Sequence, residues 1–136
     1  MLNGVNHITF AVRDLQRSID FYCNLLGCVL HAEWQRGAYV TSGDNWICLS
    51  VDADSVPARG YGHIAFSINA DDLPVFESRL AEHHVEIWQT DSSEGASVYF
   101  VDPDGHRLEA HVGGLETRLS AMREHPYLGQ TIVADR

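Results

Sequence analysis

Two segments of the chain repeat each other: HITFAVRDLQRSIDFY from His7 and HIAFSINADDLPVFES from His63. A repeat limits the fold more than any single motif, because each copy must be one supersecondary unit that cannot bury its apolar face alone. Each copy opens as a strand of alternating pattern and passes through an Asp-Leu start signal into an amphipathic helix. The periodicity predicts the first helix over about residues 14–26, with Leu15, Ile19, Phe21, Tyr22, Leu25 and Leu26 on its apolar face. It predicts the second over about residues 71–83, with Leu73, Val75, Phe76, Leu80 and Ala81. Pro74 falls in the first turn, where no intrahelical N–H is needed.

Three short strands follow each helix: CVLHAEW, AYVTS and WICLS in the first copy, VEIWQ, SVYFV and HRLEAHV in the second. The chain therefore reads βαβββ twice, with repeat one over about residues 3–51, repeat two over about 61–112 and a closing helix over about 115–123. One helix per four strands leaves a sheet face bare. The expected class is α+β, a single domain over residues 1–136 whose paired βαβββ repeats curl mixed sheets around a shared cleft, with the helices outside.

The length is enough for a core without disulfides or a structural metal. Cys23, Cys28 and Cys48 are odd in number and form no C-x-x-C pair, as expected of reduced thiols. A net charge of −10 and a pI near 5.0 argue against nucleic acid or anionic membrane as partners, which are held by clustered Lys and Arg. No apolar run approaches the roughly 20 residues of a membrane helix, and the N-terminus lacks a basic leader region. A soluble, cytoplasmic protein is expected.

The segment YFVDPDGHRLEAHVGG, residues 99–114, carries the chemistry. Asp102-Pro103-Asp104-Gly105 is turn chemistry, and the strand after it places Arg107, Glu109 and His111 on one face. His7 and His63 occupy the same place in the two repeats. With Glu109 they make a His₂-carboxylate set that leaves coordination positions open, as a catalytic metal requires. A lone strand histidine has an ordinary structural reading; equivalence across the repeats is what makes these two candidates. Matching Gly105-His106-Arg107-Leu108-Glu109 to Asp44-Asn45-Trp46-Ile47-Cys48 puts Cys48 where the second copy has Glu109, and a one-residue slip would put Leu49 there. Neither register supplies a second carboxylate. His31, His83, His84 and His125 read as surface residues, and His106 and His111 as neighbours of the metal ligands or of an interface.

With these residues in place, the chain resembles the vicinal oxygen chelate superfamily, and more closely its fosfomycin-resistance glutathione transferases. The likeness runs through VNHITFAVRDLQRSIDFY, GAYVTSGDNWICLS, SEGASVYFVDPDGHRLEAHVG and RLSAMREHPYLG. It implies a Mn²⁺-dependent homodimer that adds glutathione to the epoxide of fosfomycin or a related phosphonate, with K⁺ assisting. It also implies that each cleft joins the first repeat of one chain to the second of the other. His7, His63 and Glu109 match the metal ligands and Thr9 the hydroxyl beside the oxirane oxygen. Tyr39, Trp46 and Cys48 match cleft-wall positions, while Ser93, Tyr99 and Arg118 match the groups that hold the phosphonate. Asp91, Ser93, Gly95 and Ser97 match a K⁺ loop. The chain departs from the pattern at Gln89, where these transferases carry lysine, and at Asp91-Ser92, where they carry an asparagine-arginine pair. Other members of the superfamily define the competing activities: a glyoxalase-type isomerase, which normally needs a second carboxylate; a ring-cleaving dioxygenase; an epoxide hydrolase, for which Asp44 is a weak candidate base; and a metal-free drug-binding protein.

Overall fold

A computed structural model describes residues 1–91 and 94–133. The chain divides into two compact units, Met1–His63 with Val101–Arg107, and Ile64–Phe100 with Leu108–Arg136. In the first unit β1 (His7–Val12) leads into α1 (Leu15–Ile19), which widens into a π-helical stretch (Asp20–Leu25) before β2 (Val29–Trp34), β3 (Gly37–Ser42) and β4 (Asn45–Val51). The second unit is built on β5 (Ile64–Ser67), α2 (Leu73–Glu82), β6 (Ile87–Gln89), β7 (Ser97–Val101), β8 (Arg107–His111) and α3 (Leu115–Glu124). The two four-stranded sheets have orders β1-β4-β3-β2 and β5-β8-β7-β6. The first strand of each lies parallel to its last, β1 to β4 and β5 to β8. This is the mixed α+β architecture that the repeat predicts.

Alternation along the strands sorts each sheet into two faces. In the first sheet Phe10 and Val12 on β1, Ala38 and Val40 on β3, and Ile47 and Leu49 on β4 are buried together with Ile19, Tyr22 and Leu25. In the second, Val98, Phe100, Leu108 and Ala110 are buried with Leu73 and Leu80 of α2, and the Phe76 ring meets Phe100 edge-on at 5.4 Å. Val75, expected on the apolar face of α2, is 62% exposed. Leu73, Phe76 and Leu80 form the packed face, and Val75, two residues on from Leu73, is turned about 200° away from it. Asp14 caps α1, its carboxylate accepting the Arg17 N–H at 3.1 Å.

The first helix is not the uninterrupted α-helix that the periodicity suggests. Its last turn closes with the Leu26 N–H on the Phe21 carbonyl at 3.0 Å, five residues back. Within this stretch Tyr22 is fully buried and donates its hydroxyl to Asp102 at 2.7 Å.

The turn over residues 102–105 was legible as a turn, and Gly105 has the expected positive φ of 86°. Its two aspartates are nonetheless buried. Asp104 accepts the Arg13 N–H at 2.9 Å, the Arg13 Nε at 3.2 Å and the Ser18 hydroxyl at 3.3 Å, with Arg17 at 3.5 Å. Asp102 takes the Tyr22 hydroxyl on one oxygen and the N–H groups of Asp104 and His106, both at 2.9 Å, on the other. His106 donates Nε2–H to the Ala11 carbonyl of β1 at 2.8 Å, so it braces the first sheet's edge strand. Among the described residues no helix is long and apolar enough to cross a membrane.

Candidate metal and substrate site

Most of the candidate residues lie on the sheet faces opposite the buried ones. In the first sheet the register pairs His7 with Trp46 and Thr9 with Cys48, and Cys48 in turn with Tyr39. In the second, Ala65 pairs with Glu109. Since Ala65 is to His63 what Thr9 is to His7, Cys48 holds the place of Glu109 in the first repeat and the Leu49 register is excluded. His63 stands one residue ahead of β5, two positions before Ala65, the residue paired with Glu109.

Both histidines have one ring nitrogen committed to an acceptor. His7 Nδ1 lies 2.8 Å from Asn6 Oδ1, and His63 Nδ1 lies 3.1 Å from the Tyr61 carbonyl. Neither oxygen can donate, so in the neutral ring Nδ1 carries the proton and the lone pair sits on Nε2. This is the arrangement in which a histidine serves as a divalent-metal ligand. Glu109 is 6% exposed and accepts the Ser97 hydroxyl at 2.6 Å. The donor set therefore fits a divalent cation in chemistry. Among the described residues of one chain, no three His, Cys, Asp or Glu side chains converge as a metal-holding group.

An aromatic row crosses the exposed face of the first sheet. The His7 ring meets Trp46 at 4.4 Å, Trp46 meets Tyr39 at 5.1 Å and Tyr39 meets Trp34 at 4.7 Å. Tyr39 is 36% exposed and Thr9 is exposed beside His7. The indole N–H of Trp46 is buried with no hydrogen-bond partner, alone in this among the described residues. Such an orphan donor costs about 1–3 kcal/mol.

In the second unit Asp91 accepts the Ser97 N–H at 3.1 Å, and Tyr99 is buried with its ring edge-on to Trp88 at 5.2 Å. Arg118 on α3 is half-buried and bonded to Glu94, Nε to Oε2 at 3.1 Å and Nη2 to the carbonyl at 3.3 Å. That bond to Glu94 raises the guanidinium above its ordinary value. Ser93, expected at both the phosphonate and the K⁺ loop, lies outside the described residues, as does Ser92. Asp44 is exposed in the two-residue turn between β3 and β4, where Ser42 pairs with Asn45.

The histidines expected at the surface are exposed. His31 reaches Thr41 Oγ1 at 2.8 Å, and His83 closes α2 on the Arg79 carbonyl at 2.9 Å. Three features escaped the sequence reading: the Ser97 bridge to Glu109, the Glu94 partner of Arg118 and the orphan indole N–H. The first had a signal, since His111 stands two residues from Glu109 on the same face.

The family model of the Glyoxalase/Bleomycin resistance protein/Dioxygenase superfamily matches residues 4–110. The chain belongs to that superfamily. Within it the chain is 50% identical over 139 aligned positions to glutathione transferase FosA of Serratia marcescens, covering 99% of each protein. It is 37% identical to metallothiol transferase FosB of Staphylococcus haemolyticus, covering 91% of this chain and 94% of that one. Among solved superfamily members, FosX of Listeria monocytogenes in complex with Mn(II) and sulfate superposes with a TM-score of 0.81 at 33% identity, covering 92% of this chain and all of that one. A glutamate-to-glutamine variant of the same FosX, solved with Mn(II) and 1S,2S-dihydroxypropylphosphonic acid, gives 0.80 at 31%, covering 88% and 99%.

Proposed function

We propose that this chain is a metal-dependent transferase that inactivates fosfomycin by adding glutathione to its epoxide. The observation that carries the reading is the 50% identity with FosA across 99% of both chains, on a chain whose two repeat-related histidines share the metal-ready tautomer. His7, His63 and Glu109 would hold the divalent ion, and the Mn(II) complexes of Listeria FosX support Mn²⁺ as that ion. Once bound, the ion supplies Lewis acidity, stabilising the negative charge that develops on the epoxide oxygen.

The chain's own residues bind and orient. The thiolate sulfur forms a C–S bond to one epoxide carbon as the C–O bond to that carbon breaks, and the oxygen keeps the electron pair until it takes a proton. Thr9 shares its face with His7 and would donate a hydrogen bond to that oxygen. Trp46 would line the cleft beside His7, and Arg118 would exchange part of its bonding to Glu94 for the phosphonate. No covalent enzyme intermediate is required, so Cys48 serves as cleft wall. Holding both reactants in line supplies much of the remaining acceleration. The loop of Asp91, Ser93, Gly95 and Ser97 is proposed to take K⁺ through backbone carbonyls, because the Ser97 hydroxyl is already committed to Glu109. The working unit is a homodimer in which His7 of one chain completes the site of the second copy.

Mass spectrometry of products from purified protein, Mn²⁺, fosfomycin and glutathione tests the reading. The expected product is the thioether adduct. Formation of only the propylphosphonate diol, the compound held by the FosX variant, would replace transfer by hydration.

A further inference from the structure

Glu109, Ser97 and His111 form a closed triangle. The Ser97 hydroxyl is 2.6 Å from Glu109 Oε2 and 2.6 Å from His111 Nδ1, and His111 Nδ1 is 3.3 Å from the same Oε2. With Glu109 as a carboxylate, as a metal ligand must be, the donor inventory admits one assignment. The carboxylate only accepts and the hydroxyl has one proton, so two contacts of 2.6 Å at the hydroxyl require His111 Nδ1–H to donate to Ser97 while Ser97 donates to Glu109. Ser97 thus donates to Oε2 while His111 Nδ1, 3.3 Å from the same oxygen, holds the hydroxyl in place.

The loop before β7 presses on this triangle. Gly95 has φ +75°, and a Cβ there would stand 2.9 Å from His111 Cε1 and 2.7 Å from the Val112 carbonyl. Only glycine allows the loop to lie so close. The Val112 N–H on the Ala96 carbonyl at 2.9 Å and the Asp91 carboxylate on the Ser97 N–H at 3.1 Å fix the same stretch. His111 is thus held from behind and Ser97 from its own backbone.

We infer that His111, acting through Ser97, is a positioning residue that holds Glu109 in the rotamer from which it serves the metal. The inference rests on the proposed metal role of Glu109. It ties Gly95, Ala96 and Ser97 to the metal ligand through packing and hydrogen bonding rather than through substrate contact. Partners of this kind change metal affinity by roughly 10–100-fold.

The test is Mn²⁺ binding to the full-length, metal-stripped protein by calorimetry and paramagnetic resonance, with no substrate present. His111→Leu should weaken binding at least roughly tenfold. His111→Asn should restore most of it, because the asparagine amide places an N–H donor near the position of Nδ1. Ser97→Ala should match His111→Leu, which covers the case in which the leucine variant does not fold. Glu109→Gln separates the two levels of the argument. If Glu109→Gln binds Mn²⁺ like the wild type, the metal reading fails and this inference falls with it. If Glu109→Gln loses Mn²⁺ while His111→Leu and Ser97→Ala retain wild-type affinity, the positioning role alone is overturned. Equal loss in His111→Leu and His111→Asn would also overturn it, since the donor would then not be what matters.

Discussion

Gln89 ends β6, half-buried and paired with Tyr99, beside the loop that carries Asp91. A dianionic phosphonate and a glutathione carboxylate are captured best by charge-assisted hydrogen bonds, roughly twice as strong as neutral ones. On the proposed function, Gln89→Lys should therefore raise kcat/KM for glutathione addition by about tenfold, equivalent to about 1.4 kcal/mol. The gain should shrink as salt rises, since a partly hydrated cleft transmits the charge through screened solvent. Thr9→Ala is the control, lowering kcat by a similar factor in both backgrounds. An unchanged or lower kcat/KM in Gln89→Lys, with Mn²⁺ still bound, would mean that glutamine suits a different substrate. Burial, then the neighbouring Cys23, pushes the Cys28 thiol up to about 11, which leaves it inert near neutral pH.

At the scale of elements, the turn over residues 102–105 links local sequence to the first unit's packing. Burial raises the Asp102 carboxyl above its ordinary value, although the Tyr22 hydroxyl and His106 oppose the shift. Burial and the facing Asp102 in turn keep Tyr22 a phenol. The native state thus holds the Asp102 proton more tightly than the unfolded chain does. The associated stability is fully present below the ordinary carboxylate range and is lost as pH rises through the raised folded value. Asp102→Asn removes that loss while keeping an acceptor for the backbone N–H groups. Its stability relative to wild type should improve between pH 4 and pH 8, by about 1.4 kcal/mol for each unit of upward shift, read from urea midpoints. A difference that stays flat or declines with pH would contradict the burial argument.

The same turn shows where the sequence is legible. Pro, Gly and alternating neighbours report local geometry, so the hairpin and the eight strands could be read from it. Asp102 and Asp104 are buried because Arg13, Ser18 and Tyr22 reach them from 80 or more positions away in the chain. No local pattern encodes that. The π-helical stretch was hidden likewise, since its apolar residues fit an α-helical face. His7, His63 and Glu109 were legible only because the repeat supplies a symmetry; Ser97 had none, and its bridge to Glu109 emerges from β7 lying beside β8 in the sheet.

At the scale of the whole molecule, the proposed site needs donors that one chain does not gather among its described residues. Each unit leaves large apolar side chains exposed: Trp34 at 43% in the first, Leu115 and Tyr127 at 71% and 53% in the second. A two-fold pair would bring His7 of each chain to the second repeat of the other, making two equivalent sites from one self-complementary surface. This arrangement makes a prediction that no single-chain site shares. His7→Ala and Glu109→Gln should each be inactive, because every site in either homodimer lacks one ligand. When the two variants are co-expressed with different tags, the hybrid dimer contains one site with both lesions and one with neither. Random assortment makes half the dimers hybrid, so the mixture should recover roughly a quarter of wild-type activity and of Mn²⁺ sites. Isolated hybrids should recover half. If His7 and Glu109 of the same chain served one site, every site would carry a lesion and neither Mn²⁺ binding nor turnover would return on mixing. Sedimentation of the isolated hybrid fixes its mass in the same experiment, so a null result from failed assembly is told apart from a null result from a site contained in one chain.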